Sequence, residues 1–448
     1  MIRHNAETRL RVLICAHDFA PNLSPQSLRI TRLCEQLLRL GHDVRVVTRS
    51  TRSGMPEQVV IDESRIVRAS PGWALGMTDG LSSLIRRGRS RQAVTGVISA
   101  TGLGQGLKAG LIKAWFKLLG SVYFPDARSG WVRPAVHQGR ALLRTFKPDV
   151  VVASHEPAAS LRVGLELVRT GGIPLVAELG DPVLTPYTPR RWQQAALALE
   201  SKVCRKAAVV VVTSSATAAL LRQRHGSRTA PLVTIPQGFS PPAVGRVPMV
   251  ADAACLQLVY TGRFYAFRDP APLVEAVLRV PGCRLTVAGP ELPDSVARLF
   301  LEHPDKLTFA GNLPQDEAVS LQRSSDLLVN IGNAGMSQIP GKLMEYLGSG
   351  RPVLHLQPDA DDPAAAFVAE EQCGYVVPLD TTAITVRLSD LVERNRHRRL
   401  EDGLRLGPLV FRKYSWEILG QDFEAACQRA AQGEVGQTSP LSATSTRG

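Results

Sequence analysis

No two of the seven cysteines (15, 34, 204, 255, 283, 373 and 427) form a Cys-x-x-Cys pair, and their number is odd. That argues against a paired disulfide framework and a cysteine-built metal cluster, and the thiols are expected to be reduced and mostly buried. No Gly-x-Gly-x-x-Gly follows Ala16 or any later apolar run, which disfavours a nicotinamide oxidoreductase. No uncharged apolar run reaches the ~18 residues needed to span a bilayer as a helix. The apolar stretch ahead of His17 and Asp18 is too short for a signal-peptide core. A cytoplasmic protein is expected, attached peripherally to the inner face of the cell membrane. Zinc-finger spacing, an RNA-binding aromatic signature and a DNA-recognition helix are missing too, so no nucleic acid is expected as a partner.

What is present is a long chain of ordinary globular composition. At 448 residues, with 44% hydrophobic and 21% charged, it exceeds the ~250–300 residues that one core can serve, so two domains are expected. Lys plus Arg exceed Asp plus Glu by 53 to 40, an excess that points to an anionic partner.

Short apolar runs alternate with helical stretches in two series. Arg11–Ala16, a helix over 27–40 stopped by Gly41, and Asp43–Thr48 make a β-α-β opening. The pattern resumes with Asp149–Ala153, Pro174–Glu178 and Ala208–Thr213, with helices near 158–169 and 190–206 between them. Prolines 236, 241, 242 and 248 then mark a linker. Beyond it Leu256–Thr261, Arg284–Ala288, Lys306–Ala310, Asp326–Asn330 and Pro352–Leu356 read as strands of a second series. The fold class is therefore α/β, with two facing Rossmann-like doubly wound domains and a cleft between them. The first spans residues 10–240 with a basic insertion at 80–125, and the second spans 255–400. A helix over 410–432 is expected to pack on the body, and the small polar residues of 433–448 read as a disordered tail.

Candidate chemistry gathers where strands end. In Ile339-Pro-Gly-Lys-Leu-Met-Glu-Tyr-Leu-Gly-Ser-Gly-Arg-Pro-Val353 a helix opens at Pro340 and closes at Gly350. Unpaired N–H groups of Gly341, Lys342 and Leu343 at its start would favour an anion such as a diphosphate. Glu345, one turn further in, suits vicinal hydroxyls such as those of a ribose. After the first strand of the second series, Tyr260-Thr-Gly262-Arg263 and Arg268 supply two guanidiniums able to clamp a diphosphate and offset its charge as it leaves. Ala288-Gly289-Pro290 adds a tight turn after the next strand.

Taken together these residues resemble the retaining glycosyltransferases of family 4, which have the GT-B fold. The resemblance covers about residues 10 to 430. It rests on the Arg263–Arg268 spacing, Val287-Ala-Gly-Pro290, Phe309-Ala-Gly311 and Pro340-Gly-Lys-Leu-Met-Glu345-Tyr-Leu, and in the first half on Ala153-Ser-His155, Glu178-Leu-Gly-Asp-Pro182 and Pro236-Gln-Gly-Phe239. It implies transfer of a sugar, with retention, from a nucleotide diphosphate sugar to a glycan or lipid-linked acceptor. By that likeness Arg263 and Arg268 hold the donor diphosphate, Glu345 the ribose and His155 the donor sugar. Neither a metal nor another cofactor is implied.

The sequence departs from the family at two places. Ser337 stands where members often have a second glutamate contacting the donor sugar, and Ser24-Pro-Gln-Ser27 replaces a Gly-Gly that approaches donor phosphate or acceptor. The serine hydroxyls remain able to donate hydrogen bonds there. An epimerase or an inverting transferase on the same architecture, and a catalytically silent nucleotide-binding subunit, stay open as alternatives. Residues 80–125 contain no Asp or Glu but arginines 86, 87, 89 and 91 and lysines 108, 113 and 117. Leu107, Leu111, Trp115, Leu118, Leu119 and Val122 fall on one side at helical spacing, the pattern of a helix lying on an anionic membrane.

Overall fold

The structure is a computed structural model, and it describes residues 9–21, 24–51, 61–72, 127–169, 172–226, 229–240, 255–265, 268–335, 337–407 and 409–433. The basic insertion at 80–125 and the polar tail beyond 433 lie outside the described residues. The chain forms two compact units. The first holds 1–212, 218–235 and 420–448, and the second holds 213–217 and 236–419.

In the first unit β1 (Arg11–Cys15), β2 (Asp43–Arg49), β3 (Ile66–Ala69), β4 (Val150–His155), β5 (Leu175–Leu179), β6 (Val209–Val212) and β7 (Leu232–Thr234) form one sheet in the order β3-β2-β1-β4-β5-β6-β7. Every pairing in it is parallel. A parallel sheet is covered on both faces, so its inner strands are near-continuous apolar runs, and the four valines of β6 are all buried. The sheet order reverses between β1 and β4, a switch point whose crevice opens at the carboxyl ends of those strands.

The second unit repeats the plan with β8 (Leu256–Thr261), β9 (Cys283–Ala288), β10 (Leu307–Gly311), β11 (Leu327–Ile331), β12 (Val353–Gln357) and β13 (Gly374–Pro378) in the order β10-β9-β8-β11-β12-β13. Its pairings are also parallel, and its switch point lies between β8 and β11.

Three strands are absent from the sequence reading: β3, β7 and β13. Each is an edge strand paired on one side only, and its residues are largely half-buried. That exposure breaks the apolar run by which buried strands are recognised.

The helix Trp416–Ala431 belongs to the first unit from Gly420 onward. There Glu424 pairs with His42 at 2.5 Å. A Cβ on Gly420 would collide with the Cβ of Gln36, so only glycine lets this helix approach Pro25–Arg39 so closely. Among the described residues no helix is long and apolar enough to cross a membrane.

Candidate active site

In the second unit the helix Gly341–Ser349 starts after Pro340 without a side-chain cap and ends at Gly350, whose φ of 76° is the left-handed conformation that glycine adopts without strain. One expectation changes here. The N–H of Leu343 donates to the Pro340 carbonyl at 2.9 Å, and the Leu343 side chain is buried, so the open end of the helix consists of Gly341 and Lys342.

Glu345 is part of a network rather than a free carboxylate. Its Oε2 accepts from Lys342 Nζ at 2.9 Å and its Oε1 from Gln322 Nε2 at 2.9 Å. Gln322 also donates to Thr261 Oγ1 at 2.9 Å, which ties this carboxylate to the end of β8. A carboxylate has about four lone-pair sites, so capacity for hydroxyl donors remains.

Gly262 and Arg263 follow β8 directly. Arg263 is exposed, and among the described residues no hydrogen bond or ion pair holds its guanidinium. Arg268 is half-buried, and its Nε and Nη2 both donate to Asn333 Oδ1, at 2.8 and 2.6 Å. Its guanidinium lies 5.4 Å from the ring centre of Tyr265. Gly289 has a packing reason for being glycine, since a Cβ there would collide with the Gly262 carbonyl oxygen. The turn completed by Pro290 is thus pressed against the segment that carries the arginines.

In the first unit His155 ends β4 and is 5% exposed, and neither ring nitrogen has a hydrogen-bond partner. A buried imidazole without partners loses its hydration and gains nothing in return, so this position favours a polar ligand. His155 lines a cavity of about 170 Å³ together with Arg128, Glu156, Tyr187, Thr188 and Trp192. Asp181, beyond β5, has its carboxyl pushed up to about 8 by desolvation and then by the charges of Glu156 and Glu178.

The acidic strand end read from Glu178 is not open to ligands. Glu178 and Arg29 are both fully buried and pair at 2.7 Å, and Ser154 Oγ donates to Glu178 at 2.7 Å. Arg29 continues to the Ile235 carbonyl at 2.8 Å.

The two serines of the first loop also take other places. Ser24 Oγ caps the helix Pro25–Arg39 by accepting from the Ser27 N–H at 3.1 Å. Ser27 is fully buried, which keeps its hydroxyl away from a ligand in solvent. At the end of β1, burial pushes the Cys15 thiol up to about 12, so it is no thiolate nucleophile at neutral pH. Among the described residues no group of three or more His, Cys, Asp or Glu side chains is placed to hold a metal ion.

The sequence matches the glycosyl transferase 4-like domain over residues 26–238. Solved structures with the same architecture include a sucrose-phosphate synthase from Thermosynechococcus elongatus, at 18% identity and a TM-score of 0.64, covering 93% of this chain and 98% of that one. WaaG, a glycosyltransferase involved in lipopolysaccharide biosynthesis, matches at 15% identity and a TM-score of 0.56 over 93% of this chain and 98% of its own. This chain is a glycosyltransferase of the GT-B type.

The Anabaena protein HepE, solved with UDP and glucose, has the same fold at 13% identity and a TM-score of 0.59, covering 93% of this chain and 98% of that one. No curated protein matches the chain significantly. Two features of the glycosyltransferase carry no signal in its motifs. Asn333, the partner of Arg268, follows β11 in a segment with no recognisable pattern, and the cavity beside His155 draws on residues from 128 to 196 that meet only in the fold.

Proposed function

We propose that this glycosyltransferase moves a sugar, with retention, from a nucleotide diphosphate sugar held by the second unit to a glycan acceptor held by the first. The C1–O bond to the diphosphate breaks, the oxygen of an acceptor hydroxyl bonds to C1 on the same face, and the hydroxyl proton passes to the departing diphosphate oxygen. Arg263, Arg268, Lys342 and the open helix end offset the charge that grows on the departing diphosphate, the electrostatic task that a metal would otherwise perform. Glu345 takes the ribose hydroxyls, and His155 meets the donor sugar.

The observation that carries this reading is the gathering at the β8 end: Gln322 bonds both Thr261 and Glu345, so the strand that presents the arginines and the helix that presents an anion site form one cluster. The acceptor is a lipid-linked or polysaccharide-precursor glycan in this proposal. The acid-free, basic stretch 80–125 supports it by offering an anionic membrane surface a place to bind.

The test uses the whole chain with UDP-, GDP-, ADP- and dTDP-sugars. The true donor at 100 times its dissociation constant adds ~2.7 kcal/mol of stability. Arg263→Ala should cost ~2–4 kcal/mol of transition-state stabilisation. No stabilisation by any of them would sink the donor assignment, and binding without turnover would favour a silent nucleotide-binding subunit. Flotation with anionic and neutral vesicles at low and high salt tests the membrane assignment, which fails if the protein stays off anionic vesicles at low salt.

A further inference from the structure

Arg268 and Asn333 come from opposite sides of the second unit's switch point. Arg268 lies beyond β8, Asn333 lies beyond β11, and these are the neighbouring strands at which the sheet order reverses. Two hydrogen bonds from the guanidinium converge on one amide oxygen, at 2.8 and 2.6 Å, and Asn333 is only 6% exposed. Two N–H groups on one acceptor fix the plane of the guanidinium, not only its position.

The segment that carries Asn333 is itself anchored. The Gly332 N–H donates to the Leu356 carbonyl at 3.0 Å, and a Cβ on Gly332 would collide with an oxygen of Asp362. Asp362 pairs with His355 Nε2 at 2.7 Å, with both side chains at most 2% exposed, and His355 Nδ1 lies 2.8 Å from Asn330 Nδ2. Asn330, His355 and Asp362 therefore form a buried chain of hydrogen bonds behind the Asn333 segment. A satisfied buried network of this kind rigidifies the backbone it touches.

We propose that Asn333 is a positioning residue: it holds the Arg268 guanidinium in the plane in which that group meets the donor diphosphate. Arginine has a long side chain with many rotamers, and a cation ordered before the ligand arrives loses less entropy on binding it. Arg263 offers the contrast, since it is exposed and no described residue holds its guanidinium. On this view Arg268 is the preorganised half of the clamp and Arg263 the half that orders on binding. The inference rests on the assignment of Arg268 to the diphosphate, and the experiment separates the two.

The dissociation constants of UDP, GDP, ADP and dTDP are measured by calorimetry for the full chain and for Asn333→Ala, Arg268→Ala and the double variant. For the nucleotide that binds, Asn333→Ala should weaken affinity by about tenfold, the order seen for coupled neighbours in one hydrogen-bond network. In the Arg268→Ala background the same substitution should change affinity by less than about twofold, because the group it orients is gone. Asn333→Ser, too short to reach the guanidinium, serves if the alanine variant fails to fold, and the same pattern is expected.

Wild-type affinity in Asn333→Ala, or an equal loss with and without Arg268, would overturn the proposal while leaving the donor site standing. Wild-type affinity in Arg268→Ala, or no binding of any nucleotide by the unaltered chain, would instead remove the donor-site assignment and this inference with it.

Discussion

Replacing Arg29 with alanine isolates the fully buried ion pair of the first unit. The Arg29 and Glu178 side chains are both 0% exposed and their closest approach is 2.7 Å. Without the guanidinium, Glu178 keeps the Ser154 hydroxyl at 2.7 Å and the Gln26 amide at 2.5 Å, two neutral donors for a full negative charge. Breaking one side of such a pair costs ~3–5 kcal/mol, because a desolvated charge remains unpaired. For a unit of this size ~1 kcal/mol moves the melting temperature by roughly 2–4 °C, so Arg29→Ala should lower it by roughly 6–20 °C. Scanning calorimetry on the whole chain reads this as a downward shift of the first unit's transition. Arg29→Met with Glu178→Leu removes both charges while keeping the site filled, and it should recover most of the loss. If Arg29→Ala melts within about 2 °C of the wild type, the pair contributes no stability and the reasoning from burial fails.

Glu345→Gln removes one negative charge from the network with Lys342 and Gln322, and nucleotide affinity should fall more than melting temperature does, as measured by calorimetry with UDP and GDP. His155→Ala should lower turnover more than nucleotide affinity, and full activity would return this histidine to a packing role. Asp181 titrates in the folded chain at about 8, above its ordinary value of 3.8, so the folded state binds its proton more tightly. The associated stability is complete below about 3.8, declines as pH rises, and is gone above about 8. Asp181→Asn should therefore raise the melting temperature relative to wild type at about pH 9 but not at about pH 4, and equal shifts at both would contradict the assignment.

The inner strands are legible in the sequence because burial on both faces leaves an uninterrupted apolar run, as in β4 and β6. The edge strands β3 and β7 are not, because their exposed sides admit Arg68 and Thr234. In the site, the strand-end positions of Arg263 and Arg268 can be read from spacing, and that of His155 from the family resemblance. Their surroundings cannot, since Asn333 is 65 residues from Arg268 and Glu178 is 149 residues from Arg29. One signal was available in principle. Arg29 adjoins Ile30 on a helix whose buried side includes Leu33 and Leu37, and an arginine at a core position requires a buried acidic or carbonyl partner.

The shorter helix end changes how a diphosphate would be neutralised. With Leu343 bonded to Pro340, two open N–H groups and the helix dipole supply only partial charge, so whole charges must do more of the work. Lys342 brings one, but the Glu345 carboxylate stands 2.9 Å from its ammonium and offsets much of its field. Arg263, Arg268 and Lys342 set against the single carboxylate of Glu345 leave an excess of two positive charges, which matches the two negative charges of a diphosphate diester. In that balance the two arginines carry the excess, while Lys342 mainly holds Glu345 in place. Arg263→Ala and Arg268→Ala should therefore each weaken binding of the diphosphate more than Lys342→Ala does. Calorimetric titration of the three variants with the nucleoside diphosphate and the matching nucleoside monophosphate reads the difference. The arginine variants should lose most of the preference for the diphosphate, whereas Lys342→Ala should retain it. A Lys342→Ala variant that loses that preference as completely as the arginine variants do would show that its charge reaches the phosphates in spite of Glu345, and the division of labour argued from the ion pair would be refuted.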